Sequence, residues 1–294
     1  MNITAEAVKQ LRERTGAGMM ECKKALVETQ GDLEAAAEVM RKSGLAKADK
    51  KAARVAAEGR IALALSQDGK QGVMVEVNCE TDFVAREADF SAYADELAKV
   101  ASARQVDSVE ALLAQAGSDG VNLDERRRAL IAKIGENISV RRLSVVKGDG
   151  VLGCYLHGTR IGAIVALSGA DANLAKDLAM HVAAINPQCI DASQVPAEQL
   201  AKEKDILMAQ SLAEGKPQAI VEKMVEGRIR KYLAEITLVG QPFVKDPDVT
   251  VEKLLTQAKA QVQAFARLEV GAGIEKKQEN FADEVMATVK SSGK

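Results

Sequence analysis

The sequence predicts an α+β protein in which helices pack against short antiparallel sheets. Two observations indicate this class: helical spacing of apolar residues towards both ends, and strand-like runs around tight-turn dipeptides in the middle. The composition of the 294 residues, 47% hydrophobic and 28% charged, is that of an ordinary globular protein. This length allows two domains, or one domain with appendages.

The N-terminal stretch 4–44 predicts three short helices. Thr4 is placed to cap the first helix and Gly16 to end it. The second helix covers about 18–30, and Asp32 is placed to cap the third. Apolar residues line one face of each helix, so we expect a compact three-helix unit that is marginally stable on its own.

A basic, alanine-rich stretch over 46–54 follows the three helices. Charge runs of this kind are usually solvated, so we interpret the stretch as a linker that is either extended or helical. It closes a first predicted domain over residues 1–54.

A weak internal repeat occupies the middle of the chain. Each copy has two strand-like runs around a turn dipeptide, Asp68-Gly69 in the first copy and His157-Gly158 in the second. A helix and a further strand follow in both copies, which predicts a duplicated hairpin-helix-strand core. The predicted strands are 60–65, 73–77 and 138–146 in the first copy, and 151–156, 161–167 and 265–270 in the second.

The two copies differ in length between the hairpin and the helix. Gly162 lies 90 positions after Gly72, whereas Leu178 lies only 81 positions after Leu97. The first copy therefore carries roughly nine additional residues, which coincide with the stretch 79–87. A segment that the second copy omits is not needed for the core.

This additional stretch places an acid beside an aromatic ring, at Asp82 and Phe83, in a connection expected at the surface. Aromatic residues make up only 3% of the chain. One reading is that Phe83 packs back against the core while Asp82 caps the next helix. The alternative is that both side chains serve binding, and the absence of the stretch from the second copy favours this reading.

All five prolines lie between positions 187 and 247. Pro196 suits the first turn of a helix, and turn residues over 215–217 separate this helix from a second one. We predict an antiparallel helical hairpin inserted into the second core unit over 187–236. Its apolar stripes leave two alternatives open, packing of the two helices on each other or contact with a partner helix such as that of a second copy.

The C-terminal residues contain one more amphipathic pattern. Phe281, Val285 and Val289 recur at a spacing of four, which predicts a helix that is either a docked tail or a partner-binding element. The predicted divisions are 1–54 for the three-helix domain and linker, 55–146 for the first core unit, 147–274 for the second unit with its hairpin, and 275–294 for a C-terminal module.

Several function classes find no support in the residues. The two histidines, His157 and His181, belong to no metal-binding pattern, and the chain has neither a Gly-x-Ser-x-Gly elbow nor a phosphate-binding loop. We therefore expect no enzyme activity, no cofactor and no metal. His181 is expected to face the core from its helix.

Charge and apolar content also limit the partners. The net charge of −2 and the absence of Trp argue against binding of nucleic acid. No apolar run approaches the roughly 20 residues that span a membrane, and the N-terminus lacks the apolar centre of a signal peptide. Four scattered cysteines indicate reduced thiols, as in a cytoplasmic protein.

An ordered set of motifs resembles the elongation factor Ts family over nearly the whole chain. Its most specific member is Thr81-Asp82-Phe83-Val84 in the additional stretch. The other stretches are 11–20 with 22–26, Lys133-Ile134-Gly135-Glu136-Asn137, 157–162, 224–228 and 240–244.

The resemblance implies a nucleotide exchange factor that binds elongation factor Tu and ejects GDP from it, with a UBA-like N-terminal bundle. Thr81, Asp82, Phe83 and Val84 match the family's loop that disturbs the Mg²⁺ site of elongation factor Tu. The positions that match other partner contacts are Arg12, Met19 and Met20 in the N-terminal unit and Ile134 and His157 in the core.

Two rival functions remain at the level of sequence. The first is an RNA- or ribosome-binding adaptor that uses the basic stretch, which the nearly neutral total charge disfavours. The second is a purely structural protein that dimerises through the helical hairpin. Apart from these rivals, a homodimer through the core or the helical hairpin is considered as a partner in addition to elongation factor Tu. Neither rival predicts any effect on nucleotide release.

Overall fold

The computed structural model of the protein describes residues 3–213 and 218–275. Over these residues helices are combined with antiparallel sheets, which confirms the predicted α+β class. The amphipathic helix predicted over 281–289 lies outside the described residues.

Three helices begin the chain. They are α1 (Ala5–Thr15), α2 (Met19–Glu28) and α3 (Leu33–Lys51). The Thr4 hydroxyl accepts a hydrogen bond from the N–H of Ala7 at 3.2 Å, and Gly16 ends α1 in the left-handed conformation, as predicted. Their small common core consists of Val8, Leu11, Cys22, Ala25, Leu26 and Ala36.

The first sheet has the strand order β1-β2-β3, with all pairs antiparallel. Four helices lie between its second and third strands along the chain. In chain order the elements are β1 (Glu58–Leu65), β2 (Gln71–Cys79), α4 (Asp82–Ala85), α5 (Ala88–Ala103), α6 (Val109–Leu113), α7 (Leu123–Ile134) and β3 (Ser139–Lys147).

The second sheet has the strand order β4-β5-β8, again antiparallel, and β6 pairs with β7 in a small separate ribbon. In chain order the elements are β4 (Val151–His157), β5 (Ile161–Ser168), α8 (Ala172–Ile185), α9 (Ala197–Ala213), α10 (Gln218–Ile236), β6 (Pro242–Phe243), β7 (Asp246–Thr250), α11 (Val251–Ala258) and β8 (Gln261–Glu269).

The two sheets pack face to face, and helices cover their outer faces. Side chains alternate along a strand, so β2 directs Met74 towards the second sheet and its neighbours Val73 and Val75 towards α5. On β5, Ile164 lies between the sheets while Val165 packs with α8. The cluster between the sheets consists of Ile61, Met74, Val146, Ile164, Ala166, Leu268 and Val270.

Two glycines set the separation of the sheets. A Cβ added at Gly72 would lie 2.9 Å from Cδ1 of Ile164, and one added at Gly162 would lie 2.8 Å from Cγ2 of Ile61 and from Sδ of Met74. Both distances are shorter than real Cβ contacts, so a side chain at either position forces a neighbour to move. The contact is reciprocal, because each glycine faces a large side chain two positions beyond the other glycine.

The central strands also share an irregularity. The pairing of β2 with β3 shifts between Glu76 and Val77, and that of β5 with β8 shifts between Ala166 and Leu167. Ala166 lies 90 positions after Glu76, the same separation as between the two glycines. A bulge of this kind bends and twists the strand locally, so both sheets curve at matching places.

Glu76 is a fully buried carboxylate in β2. It accepts hydrogen bonds from the N–H of Gly271 at 2.8 Å, from Nη1 of Arg141 at 3.1 Å and from Nε of Arg142 at 2.5 Å. Burial raises the pKa of Glu76, but the Gly271 N–H and the Arg142 guanidinium outweigh burial and hold this pKa below its ordinary value. Since Gly271 follows β8, the carboxylate ties the two sheets together.

The helices α9 and α10 run antiparallel as an arm on the second unit. Nε2 of Gln199, near the start of α9, donates to the Tyr232 hydroxyl, near the end of α10, at 2.8 Å. Val221 and Val225 are buried four residues apart on α10. The predicted alternative of packing between the two helices therefore holds for this face of the arm.

Several elements were not foreseen from the sequence. They are α4, α6, α7, α11 and the ribbon of β6 and β7. The structure also extends α3 to Lys51, so most of the stretch interpreted as a linker is helical. Alanine and lysine favour helix, and α3 packs on α7 closely enough that a Cβ added at Gly44 would lie 3.2 Å from Cβ of Ala132.

Candidate partner-binding site

The connection between β2 and α5 is built around the single helical turn α4. Thr81 precedes this turn with extended backbone angles, and its hydroxyl accepts from the N–H of Val84 at 3.4 Å. The N–H of Ala85 donates to the Thr81 carbonyl at 3.3 Å. Thr81 is therefore the cap of α4. The next helix, α5, has Glu87 rather than Asp82 at its N-cap position.

Phe83 is the most exposed large apolar side chain among the described residues, at 80% of its possible surface. The next two residues, Val84 and Ala85, are buried against the cluster formed by the first sheet and α5. The reading in which Phe83 packs against its own core is wrong. The turn is held by Val84 and Ala85, while the Phe83 ring faces solvent.

Asp82 lies beside this ring and is half-exposed. Its Oδ2 accepts from Nη2 of Arg86 at 2.9 Å, in an ion pair spaced four residues along the chain. The partner of this carboxylate, Arg86, is itself largely solvated. An apolar ring next to an exposed charged pair resembles the centre and rim of many protein-binding surfaces.

Glu136 holds the entrance of the loop from the other side. Its Oε2 accepts from the backbone N–H groups of Glu80 at 3.1 Å and Thr81 at 3.0 Å, and its Oε1 accepts from the Thr81 hydroxyl at 2.6 Å. Gly135 ends α7 with φ of +91°, and this turn of the backbone places the Glu136 carboxylate beside the loop. This positive φ favours glycine, so the end of α7 is shaped to turn Glu136 towards the loop.

A second set of contacts runs in the opposite direction. Oε1 of Glu80 accepts from the N–H of Asn137 at 2.6 Å and lies 3.5 Å from Nη1 of Arg54. The buried amide of Asn137 donates to the carbonyl of Arg54 at 2.8 Å. The loop, the end of α7 and the segment after α3 are therefore joined by polar contacts, and Lys51 adds a hydrogen bond to the Gly135 carbonyl.

Cys79 lies at the base of the loop as an unreactive thiol. Its Sγ donates to the Thr81 carbonyl at 3.1 Å. Burial, followed by the nearby charge of Glu136, raises the pKa of Cys79 to about 12. The thiol therefore stays protonated at neutral pH and serves as a packing group.

The N-terminal candidates lie on the three-helix unit, away from the loop along the chain. Arg12 is exposed on α1, and Met19 and Met20 at the start of α2 are 60% and 76% exposed. The turn between these helices contacts α7, since a Cβ added at Gly16 would lie 3.3 Å from Cδ of Lys133. This turn is thus brought close to the residue that precedes Ile134.

The two candidates in the core have different surroundings. Ile134 is half-buried at the end of α7, two positions before Glu136, and packs against the cluster beneath the loop. His157 is exposed at the end of β4, where Nδ1 lies 3.3 Å from the Tyr155 hydroxyl. Ile134 is therefore part of the loop's support, whereas His157 lies at the turn of the second hairpin.

His181 is fully buried on α8, as predicted. Its Nδ1 accepts from the N–H of Val244 at 3.1 Å, so Nε2 carries the proton and donates to Oε1 of Gln241 at 2.9 Å. Burial lowers the pKa of His181. The neutral imidazole links α8 to the ribbon of β6 and β7.

Two residues central to this geometry were missed as single residues. Glu136 stands inside one of the motifs that carry the family resemblance, and this membership was its only signal. Glu76 gave a signal as a charged residue inside an otherwise apolar strand. Among the described residues there is no group of three or more metal-ligating side chains, and no helix there is long and apolar enough to cross a membrane.

The protein is thus an α+β protein of two packed three-stranded sheets. It exposes the aromatic ring of Phe83 on a loop that is anchored by buried neighbouring residues. A family model described as Elongation factor TS matches residues 80–272 of the chain. The chain belongs to the elongation factor Ts family.

Relatives from several bacteria agree with this family over nearly the full length. The chain is 62% identical over 293 residues to Elongation factor Ts of Methylococcus capsulatus, covering 99% of this chain and 100% of that protein. It is 60% identical over 294 residues to Elongation factor Ts of Thioalkalivibrio sulfidiphilus and 58% identical over 292 residues to that of Halorhodospira halophila, with the same coverage in both.

Proposed function

We propose that the protein is a guanine-nucleotide exchange factor in translation elongation. It binds the GDP form of elongation factor Tu, disturbs the site of Mg²⁺ and the phosphates, and promotes release of GDP so that GTP can bind. Membership of the elongation factor Ts family supports the partner. The observation that carries the mechanism is the solvent-facing Phe83 ring on a turn whose next two residues are anchored in the core.

A tightly bound nucleotide leaves slowly without help. Nanomolar affinity corresponds to about −12 kcal/mol, and with an association rate near 10⁶ per molar per second the release takes on the order of ten minutes. Backbone N–H groups, a lysine and Mg²⁺ supply the affinity in such phosphate sites. An exchange factor therefore has to displace these groups and needs no catalytic side chain of its own.

The proposed mechanism works through coupled binding. The factor binds best to the partner conformation in which the phosphate and Mg²⁺ groups are displaced, so it weakens GDP binding. By linkage, GDP weakens the binding of the factor by the same ratio. GTP entering the emptied site then drives the factor off, and one molecule of the factor serves many partner molecules.

Phe83 is proposed to insert into an apolar slot between helices of the partner. Burial of one such ring contributes about 2–3 kcal/mol, less than the ~5.5 kcal/mol that a 10⁴-fold shift requires. The remainder comes from distributed contacts. The residues proposed for these contacts are Arg12, Met19, Met20, Ile134 and His157.

The four residues of the loop are proposed to divide the work. Asp82, beside the ring, disturbs the neighbours of the partner's Mg²⁺ by its charge or its bulk. Thr81 and Val84 stabilise the loop rather than contact the partner, because the Thr81 hydroxyl donates to Glu136 and Val84 is buried in the core. The partner thus meets Phe83 and Asp82 directly.

We further infer that the core arose by duplication and that the domain division is 1–54, 55–146, 147–274 and 275–294, with a UBA-like bundle in the first domain. The reciprocal glycines and the strand irregularities 90 positions apart support the duplication. A homodimer through the core or the helical arm is an additional proposal, and the observations favour the arm. Apolar side chains exposed on α9 and α10 support it, namely Ile206, Leu212 and Ile220.

The experiment is release of a fluorescent GDP from purified elongation factor Tu, with and without this chain, at increasing salt. We expect release to accelerate by several orders of magnitude, and the acceleration to persist at high salt because the contact includes apolar anchors. A nucleic-acid adaptor in the cytoplasm would leave release unchanged and would lose its own binding steeply with salt. Release at the spontaneous rate would contradict the proposed function.

A further inference from the structure

The Phe83 turn has little intrinsic stability. It comprises the four residues Asp82–Ala85, and an isolated turn of helix is unstable because nucleation fixes several dihedral angles for one hydrogen bond. Its buried residues fix the C-terminal half of the turn, while the entrance at Glu80 and Thr81 crosses from the strand without ladder partners. What fixes this entrance decides where Phe83 points.

One carboxylate supplies all the acceptors at the entrance. The backbone N–H groups of Glu80 and Thr81 both donate to Oε2 of Glu136, and the Thr81 hydroxyl donates to Oε1. Hydrogen bonds to an ionised acceptor are shorter and stronger than neutral ones. The same Thr81 hydroxyl accepts from Val84, so the Glu136 bond also orients the cap of the turn that carries Phe83.

Glu136 is itself fixed by its surroundings. It follows the left-handed Gly135 at the end of α7, and the next residue, Asn137, is buried and donates its N–H back to Glu80 at 2.6 Å. The two acidic side chains thus cross, each accepting from the backbone beside the other. Such a pair of crossed contacts sets the angle between the loop and α7.

We propose that Glu136 is a positioning residue for nucleotide exchange, which orders the Thr81 entrance and thereby directs the Phe83 ring. The inference rests on the proposed function for its effect on GDP release, but not for its effect on the loop. Glu136 is half-buried beneath the loop, so it acts through Thr81.

The loop is read out in the free chain by fluorescence. The chain contains no Trp, so Phe83→Trp introduces a single indole at the tip of the turn. In this background Glu136→Ala removes every acceptor, whereas Glu136→Gln keeps one oxygen for the two backbone N–H groups. We expect the anisotropy of the indole to fall strongly for Glu136→Ala and slightly for Glu136→Gln, because the tip gains nanosecond motion.

The matched control is Glu87→Gln, which removes an equal charge from an exposed side chain in the same connection. This control should leave the anisotropy unchanged. Thr81→Val, which removes only the hydroxyl, gives a second route if Glu136→Ala does not fold, and it should lower the anisotropy below that of the parent. An anisotropy that is equal in Glu136→Ala and its parent overturns the proposal.

Exchange is then measured with Phe83 in place. Glu136→Ala should lower the maximal rate of GDP release at saturating factor by on the order of tenfold, equivalent to about 1.4 kcal/mol. The half-saturating concentration should change by less than about threefold, since the distributed contacts remain. A loss of folded molecules would instead raise that concentration and leave the maximal rate intact.

The two measurements separate the possible failures. A falling anisotropy with an unchanged maximal rate overturns the role of Glu136 in exchange while leaving the proposed function standing. If the wild-type chain does not accelerate release at all, the proposed function fails, and the role of Glu136 in exchange fails with it. The anisotropy then still reports whether Glu136 orders the loop.

Discussion

The two three-stranded sheets share several structural features at matching positions, and two differences between them are informative. Both have the same strand order, a glycine near the start of the central strand and a pairing shift four residues later. They differ where Glu76 in the first sheet corresponds to Ala166 in the second. They differ again where the chain leaves the central strand, over residues 80–87 in the first sheet and 169–171 in the second.

The comparison separates the requirements of the fold from additions to it. The short connection shows that the chain can pass from the central strand to the covering helix without an intervening turn. The long connection adds α4 with its exposed Phe83, and α5 also begins about one turn earlier than α8 when their buried residues are matched at the 81-residue offset. The first unit therefore carries a feature that packing alone does not call for.

The largest expected effect comes from making the first sheet resemble the second at the buried acid. Glu76→Ala removes the carboxylate that accepts from Arg141, Arg142 and the Gly271 N–H, and breaking a buried ion pair costs about 3–5 kcal/mol. We expect the lower end of this range because both arginines reach solvent. Urea unfolding measures the loss, with Glu222→Ala on the exposed face of α10 as a control.

The same carboxylate predicts a pH dependence with a definite sign. Its pKa is lower in the folded protein than in the unfolded chain, so the unfolded chain binds the proton more readily. The stability that Glu76 contributes is fully present above the unfolded pKa, and it decreases as the pH falls towards the folded value.

A Glu76→Ala variant with the unfolding midpoint of the wild type would show that Glu76 does not tie the sheets.

A smaller effect, on function alone, is expected from the long connection. Phe83→Ala removes an exposed ring, so we expect an unchanged unfolding free energy but GDP release from elongation factor Tu slowed about tenfold or more, where 1.4 kcal/mol is a factor of ten. The control is Ile185→Ala, another exposed apolar residue, at the end of α8. Equal release rates for Phe83→Ala and the wild type would remove the insertion mechanism.

The smallest effect concerns the covering helices. At the 81-residue offset, His181 on α8 corresponds to Val100 on α5, so only the second unit has a buried titratable group here. Burial lowers the pKa of His181, hence its contribution is fully present above the unfolded value of about 6.5 and is lost as the pH falls below it.

This dependence is measured as the unfolding free energy between pH 7 and pH 5, in the wild type and in His181→Gln. The carboxylates titrate in both proteins, so the difference between the two slopes isolates the imidazole. We expect the wild type to lose more stability on acidification. Parallel slopes would mean that His181 becomes protonated without cost, and the two helices would then be equivalent in this respect.

Local patterns predicted the parts of the fold that depend on neighbours in sequence. Thr4 and Gly16 delimit α1 because capping and the left-handed turn involve only residues within one helical turn. The helix α7 was not predicted, because its buried residues, Leu123, Leu130 and Ile131, are few among many charged residues and form no clear helical pattern. Its position is decided by packing against α3 and α5, which no window of the sequence contains.

The candidate site was predictable to the same extent. The exposure of Phe83 was expected from the family resemblance, and the length difference between the two repeats supported it, since a stretch that one repeat lacks need not be core. The support of the loop did not follow, because Glu136 lies 55 positions from Thr81 and their hydrogen bond exists only in the folded chain. A hydrogen bond between residues so far apart in the chain produces no periodic pattern in the sequence from which it could be predicted.

The packing of Gly72 against Ile164 and of Gly162 against Met74 has a consequence for how the two halves can change. Ile164 and Met74 occupy the space that a side chain at the opposite glycine would need. Replacement of one glycine by a larger residue therefore requires a smaller side chain at the facing position in the other half. Neither half can accept a bulkier residue here on its own. The two halves must therefore change together at these contacts during evolution, even though their roles differ.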